Sequence, residues 1–207
     1  MNKKLKYGLW LVIVLFVGYN SVYFKKLDSM KASSAGNFNA AAYAKTYVYN
    51  KLPAIAGKAV SVDQLLSGLA ANPQKTFDTY SNALDIGSVR FFWVKGSGTV
   101  TKIDDTYIYL LTDSAHTLVK IATEFVFGNA LRDASGLVHI NDFGSTTDLN
   151  NISAEINKLI RNEVIPPLKA KAKKGDHLTF TGAIELNSSH PDVSNLEIMP
   201  ASLKIIP

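Results

Sequence analysis

The residues best suited to chemistry are concentrated in one stretch, GNALRDASGLVHINDF, which covers residues 128–143. Within this largely apolar sequence lie two polar pairs, Arg132-Asp133 and Asn141-Asp142. One interpretation is structural: buried polar groups need partners, so Arg132 forms a bidentate ion pair with Asp142 or Asp133 that holds the loop in place. The other is a ligand site in which these polar groups bind hydroxyls and an aromatic ring stacks on the ligand. That candidate site consists of Arg132, Asp133, Asn141, Asp142 and Phe143.

Signatures of catalysis and of metal binding are absent from the sequence. There is no cysteine, no G-x-S-x-G elbow, and no glycine pattern typical of a phosphate-binding loop. The four histidines are scattered without metal-ligand spacing and include His190 in a polar loop. We therefore predict a protein that is not an enzyme and that has no cofactor and no metal. A hydrolase is the weaker hypothesis, because no nucleophile and base can be paired.

The net charge of +5 lies in the first 31 residues. This segment has six lysines and a single acid, Asp28, whereas residues 32–207 carry 16 basic and 16 acidic side chains. A neutral domain has no general attraction for phosphate backbones. The charge distribution therefore predicts that the domain does not bind nucleic acid.

An uncharged segment at the N-terminus predicts a membrane anchor. Residues 7–24 are 18 consecutive uncharged residues flanked by lysines, enough for a helix of about 27 Å. The alternative is a cleaved signal peptide, with Ser33-Ser34-Ala35 as its nearest small-residue site. Bulky and charged residues directly after the apolar core favour an uncleaved signal anchor, which spans residues 1–24. Its short N-terminal tail predicts a single-pass protein of the bacterial inner membrane with the following domain in the periplasm or outside the cell.

The rest of the chain predicts a polar linker at 25–37 and one extracytoplasmic domain at 38–207. Its first part, 38–86, is predicted to be helical. One helix starts at Asn39 and stops before Pro53, a second is capped by Ser61, and a third is capped by Asn72. Tyr43 and Tyr47 are predicted to pack in the core.

In residues 87–207 the hydrophobic period changes from that of a helix to that of a strand. Five strands are predicted, with a helix from about residue 151, ended by Pro166 and Pro167, between the third and the fourth. The predicted strands cover residues 89–103, 107–111, 117–127, 177–186 and 196–206. This order predicts an α+β chain with an OB-like, five-stranded antiparallel β-barrel and a helix between strands 3 and 4. An ordinary antiparallel α+β sheet is the alternative.

Three segments resemble an uncharacterised family of predicted bacterial periplasmic lipoproteins. They are IGSVRFFWVKGSGTV, GNALRDASGLVHINDF and HLTFTGAIEL, preceded by the helical FNAAAYAKTYVYNKLPAIAGKAV, and the resemblance covers residues 38–207. It implies an envelope protein without assigned catalysis, often encoded beside sugar ABC transporters. This chain lacks the acylated cysteine of a lipoprotein, so the anchoring helix would replace the lipid.

These observations predict a membrane-anchored periplasmic accessory or binding protein associated with sugar uptake. Its expected partners are the bilayer, through residues 7–24, and either a small ligand such as a sugar or an envelope transport protein. The alternative function is an OB-fold nucleic-acid-binding module.

Overall fold

The computed structural model describes residues 3–8, 10, 14, 16 and 38–206. The chain divides into two compact units, Met1–Phe38 and Asn39–Pro207. The described residues before residue 17 are helical and exposed. No helix among the described residues is both long enough and apolar enough to cross a bilayer. Most of the predicted anchor at 7–24 and the whole predicted linker at 25–37 lie outside the described residues.

The second unit contains seven described strands, five of which close a barrel. The strands are β1 (Val60–Ser61), β2 (Ser81–Asn82), β3 (Val89–Ile103), β4 (Tyr107–Thr112), β5 (Leu118–Ala122), β6 (His177–Asn187) and β7 (Glu197–Ile206). Around the barrel the order is β3, β4, β5, β7 and β6, and β6 pairs back onto β3. The predicted OB-like order, with helices between the third and fourth barrel strands, is confirmed.

The prediction of a purely antiparallel barrel is wrong, because β5 and β7 are parallel. The reason is geometric: five strands in a closed ring cannot all alternate in direction. The third barrel strand is also shorter than predicted. Its ladder with β4 ends where Ala122 lies opposite Tyr107, the first residue of β4, so the strand ends there.

The long strand β3 bends enough to pair with β6 along its first part and with β4 along its second. Two glycines permit the close approach that this bend requires. A Cβ at Gly98 would lie 2.4 Å from the backbone oxygen of Leu111, and one at Gly96 would lie 2.6 Å from the ring of Phe180. The glycines were predicted to mark a bend or a bulge; the bulge itself lies at Thr101.

Seven α-helices, the 3₁₀ turns Ala56–Lys58 and Ile140–Asp142, and two π-turns complete the described part of this unit. The α-helices are α1 (Ala40–Thr46) with the π-turn Tyr47–Lys51 and α2 (Leu52–Ala54), α3 (Val62–Ala71), α4 (Pro73–Tyr80), α5 (Ala130–Ala134), α6 (Thr146–Leu159) with the π-turn Ile160–Val164, and α7 (Ile165–Lys169). The caps at Ser61 and Asn72 accept hydrogen bonds as predicted, and Asn39, the predicted start of the first helix, caps that helix in the same way. Helix α6 starts earlier than predicted, at a cap formed by Ser145.

Both predictions that proline ends a helix are wrong. Leu52, directly before Pro53, is helical, and so is Ile165 before Pro166. In each case the preceding π-turn shifts the hydrogen bond to i→i−5, from Leu52 to Tyr47 and from Ile165 to Ile160. The wider turn leaves room for the ring of the proline that follows it. The proline itself has no N–H to donate, so it leaves no donor without a partner.

The core lies in two clusters. One fills the barrel and continues to α3 and α4, with Phe92, Leu110 and Leu178 fully or almost fully buried. The other lies between the outside of the barrel and helices α1 and α6. Tyr47 belongs to this outer cluster and its hydroxyl bonds Ser135 Oγ at 2.6 Å, so its predicted core position is confirmed. Burial raises the pKa of this phenol well above its usual value.

Candidate functional site

Arg132 and Asp133 form a closed ion pair in the core. Arg132 Nε lies 2.5 Å from Asp133 Oδ1 and Nη2 lies 3.2 Å from Oδ2, and each residue is 3% exposed. The remaining guanidinium nitrogen, Nη1, donates to the carbonyl oxygen of Leu149 at 3.1 Å. Burial raises the pKa of the Asp133 carboxyl, and the hydrogen bond from Arg132 opposes that shift. The pair therefore ties α5 to the first turn of α6.

The other three predicted site residues lie elsewhere. Asn141 and Asp142 are exposed on a 3₁₀ turn, Ile140–Asp142, where the Asp142 carboxylate accepts from the backbone N–H of His139 at 3.3 Å. Phe143 is partly buried and packs edge-on against Tyr43, with 5.5 Å between ring centroids. The structure therefore does not bring the five residues to one surface. Of the partners proposed for Arg132, Asp133 is the one found.

A pocket of about 370 Å³ lies beside α6, on the side of the loop that follows β5. We call it the asparagine pocket. Its lining residues come from that loop and from one stripe of α6 and the following π-turn: Phe127, Gly128, Asn129, Asn150, Ser153, Ala154, Asn157 and Arg161. The helical members recur every three or four residues, so they share one face. Sequence reasoning used the apolar face of this helix and missed the polar stripe, whose spacing was the available signal.

Ser153 is the unusual member of this pocket. It is 5% exposed, and its hydroxyl has no hydrogen-bond partner among the described residues. A buried serine within a helix can bond the carbonyl four residues earlier. Here that carbonyl belongs to Leu149, which already accepts from Arg132. A buried hydroxyl without a partner costs about 1–3 kcal/mol, so Ser153 gains from a polar group placed in the pocket.

Two side chains of the stripe hold the loop in place. Asn157 donates its Nδ2 to the carbonyl of Gly128 at 2.8 Å. The guanidinium of Arg161 donates to the carbonyl of Val126 and lies over the ring of Phe127, 4.7 Å from its centroid. Phe127 remains 58% exposed. The pocket thus combines fixed amide, hydroxyl and guanidinium groups with an accessible aromatic ring.

The lining of the asparagine pocket contains no carboxylate and no histidine. It can bind a polar ligand, but it offers no pair of groups for acid–base or nucleophilic chemistry. Across the described residues no group of three or more potential ligands could hold a metal ion. The nearest arrangement to a catalytic one is a surface cluster in which Asp113 lies between Ser97 and His177. There the carboxylate, rather than the histidine, contacts the serine.

A second polar surface lies on the outside of the barrel. Tyr107 and Tyr109 pack edge to face, with 6.0 Å between centroids. Lys102 lies over the ring of Tyr109 and Lys120 over that of Tyr107, at 4.8 and 5.5 Å. The hydroxyl of Tyr107 donates to the Glu197 carboxylate at 3.1 Å. OB-folds commonly bind extended ligands on this strand face.

The closed barrel and the helices between β5 and β6 define an OB-fold domain. A similar solved structure is an OB-fold protein from Thermotoga maritima, with a TM-score of 0.73 and 21% identity over 82% of this chain and 99% of that one. At this identity the similarity shows the fold alone. No curated protein matches the chain.

The chain belongs to the family described as predicted periplasmic lipoprotein (DUF2291), which matches residues 12–204. The family resemblance predicted from the sequence is therefore confirmed. It agrees with a location in the cell envelope. The neighbourhood of sugar transporter genes stays a prediction.

Proposed function

We propose that this protein is a non-catalytic binding module of the bacterial envelope. Residues 7–24 hold it in the inner membrane and the OB-fold unit lies on the periplasmic side. The family match and the charge-balanced domain after a lysine-flanked apolar segment support this arrangement. Fractionation of cells that express the full chain tests it: the protein should stay with the membrane after a high-salt wash. Recovery of the full chain in the cytosolic fraction would contradict it.

The ligand is a small neutral polyhydroxylated molecule such as a sugar, held in the asparagine pocket. The observation that carries this proposal is the buried, unpartnered hydroxyl of Ser153 in the pocket wall. Asn129 and Asn150 add amide groups that have no hydrogen-bond partner among the described residues. The ring of Phe127 offers an apolar surface for the C–H face of a sugar.

The predicted residues Arg132 and Asp133 enter this function as positioning residues. Asp133 orients the guanidinium of Arg132, and Arg132 occupies the carbonyl that Ser153 would otherwise use. The pair also fixes α5 against α6 and so holds the pocket wall in place. Neither side chain is placed to contact the ligand, because neither lines the asparagine pocket.

Calorimetric titration of the full chain with glucose, galactose, ribose and xylose tests the ligand class. We expect one or more of these sugars to bind and Ser153→Ala to weaken that binding by roughly tenfold. Because the substitution removes a buried unpaired hydroxyl, the free energy of unfolding should stay the same or rise. The matched control is Asn151→Ala, an exposed position on the same helix outside the pocket.

Two results would contradict this assignment. If Ser153→Ala binds the sugar as well as the wild type does, the site is elsewhere. If none of the four sugars binds, the sugar proposal fails and an envelope transport protein becomes the favoured partner. Cross-linking from position 127 in intact cells would then detect such a partner.

A second candidate function is binding of single-stranded nucleic acid on the outer face of β4 and β5. The observation in its favour is the pairing of Tyr107 and Tyr109 with two lysines, since bases stack on aromatic side chains. The neutral charge of residues 32–207 argues against it. A gel shift with single-stranded DNA that weakens with salt and is lost in Tyr109→Ala would establish it. The absence of a shift at low salt would exclude it.

A further inference from the structure

A second cavity, of about 410 Å³, lies within the OB-fold unit on the outer surface of β6 and β7. We call it the lysine groove. It is lined by Val48, Leu52, Pro53 and Ala56 from the first helical segment and by Thr179, Phe180, Thr181, Ala201, Ser202 and Lys204 from the two strands. Its volume is within the range of about 300–1,000 Å³ typical of small-molecule sites.

The two sides of the groove differ in chemistry. The helical side is apolar, and Val48 and Leu52 are buried against the barrel. The strand side carries two cross-strand pairs, Thr179 with Lys204 and Thr181 with Ser202. Because alternate residues of a strand face the same side, these four polar groups form one patch on the outer face of the sheet.

A bulge in β7 shapes the bottom of the groove. The register shifts between Thr181, which pairs with Ser202, and Gly182, which pairs with Pro200, so Ala201 is the extra residue. Gly182 permits this arrangement, because a Cβ there would lie 2.4 Å from the carbonyl oxygen of Met199. Bulges often re-aim side chains next to functional sites.

The electrostatics of the groove select the charge of its ligand. Lys204 is the only charged residue in the lining, and no carboxylate lines it. Among the described residues, Lys204 Nζ and the hydroxyls of Thr179, Thr181 and Ser202 have no hydrogen-bond partner. An ammonium group beside three hydroxyls complements a single anionic head group. The apolar helical side complements a hydrocarbon chain.

We propose that the lysine groove binds a medium-chain monocarboxylate. Its carboxylate pairs with Lys204 and accepts from the hydroxyl patch, and its hydrocarbon chain lies against Val48, Leu52 and Pro53. This ligand differs from the neutral sugar of the asparagine pocket. The proposal therefore does not depend on the proposed function.

Methyl NMR and calorimetry on the full chain with three probes test this proposal. Octanoate has both the head and the chain, octanamide keeps the chain without the charge, and acetate keeps the head alone. We expect octanoate to bind and to shift the methyl signals of Ala56, Thr181 and Ala201. Octanamide should bind roughly fivefold more weakly, and acetate should shift none of these signals.

Variants separate this groove from non-specific uptake of an amphiphile. In Lys204→Gln, octanoate should bind no better than octanamide, whereas the exposed Lys58→Gln, which does not line the groove, should behave as the wild type. Ala56→Leu should fill the groove and abolish the octanoate shifts. Equal binding of octanoate and octanamide by the wild type, an unchanged preference in Lys204→Gln, or shifts confined to other residues would each overturn the proposal.

Discussion

The asparagine pocket and the lysine groove border similar helical elements but differ in chemistry. Each borders a helix that passes through a π-turn and then through a proline, at Tyr47–Lys51 with Pro53 and at Ile160–Val164 with Pro166. In the asparagine pocket the helix supplies the polar groups and the loop after β5 supplies the aromatic ring. In the lysine groove the helix supplies the apolar side and the strands supply the polar groups.

This difference shows that a π-turn beside a pocket does not set the polarity of the pocket's lining. Polarity depends on which face the helix presents beside the turn. Helix α6 presents Asn150, Ser153 and Asn157, whereas the first segment presents Val48 and Leu52. The two turns are joined directly, because the hydroxyl of Tyr49 in the first turn donates to the carboxylate of Glu163 in the second.

The largest effect should come from Arg132→Ala, which disrupts the support of the asparagine pocket. It leaves the Asp133 carboxylate buried without its partner, so we expect the free energy of unfolding to fall by about 3–5 kcal/mol, measured by urea denaturation. The double variant Arg132→Met/Asp133→Leu should recover most of this loss, since it removes both charges. A single variant that is as stable as the wild type would contradict the role of the ion pair.

The next effect concerns the lysine groove. In Gly182→Ala the added Cβ meets the carbonyl oxygen of Met199, so the bulge must shift and stability should fall by roughly 2 kcal/mol. Octanoate binding should weaken while sugar binding stays unchanged. Gly57→Ala is the control, because its Cβ would meet no atom within 4 Å. Thermal denaturation of both variants measures the difference, and equal melting temperatures would refute the requirement for glycine at position 182.

A smaller effect is expected from salt, which should weaken ligand binding in the lysine groove but not in the asparagine pocket. Raising the salt concentration from about 0.02 M to about 0.5 M should weaken octanoate binding several-fold, because the exposed Lys204 charge is screened. Sugar binding should not change, since its ligand is neutral. Calorimetry at both concentrations measures this contrast. A parallel loss at both sites would mean that salt acts on the fold and not on the charge of the groove.

The smallest effect should come from Tyr49→Phe, which breaks the link between the two turns. The hydrogen bond to Glu163 raises the pKa of the Tyr49 phenol. The stability that this bond contributes is therefore complete at pH values below the pKa of the phenol in the unfolded chain, about 10, and it is lost as the pH rises through the pKa in the folded protein. Since Tyr49 is exposed, we expect a loss of less than about 1 kcal/mol at pH 7. Urea denaturation at pH 7 and pH 11 measures it, and the difference between the proteins should shrink at pH 11. A constant difference would exclude ionisation of this phenol as its cause.

Local signals predicted most of the secondary structure. The predicted limits of β3 and the predicted first residue of β6 match the structure, and the predicted caps at Ser61 and Asn72 accept backbone N–H groups. The family resemblance, based on the same segments, is confirmed. The parallel pairing of β5 with β7 was missed, because it arises when the ring closes and not within either strand.

The candidate site was predicted only in part. The polar stretch around Arg132 indicated a network, and one of the two partners named for it is the one found. The asparagine pocket was missed because Phe127 and Asn157 are 30 positions apart in the sequence. They meet only when the loop after β5 packs against α6.

Composition and short-range pattern were thus enough for the apolar N-terminal segment, the neutral domain, the order of strands and helices, and the absence of a catalytic motif. These properties depend on residue type and on neighbours a few positions away. The parallel closing pair, the passage of two helices through proline and the two cavities depend on long-range packing. No local preference encodes which surfaces meet, because that is set by the free energy of burying both surfaces together.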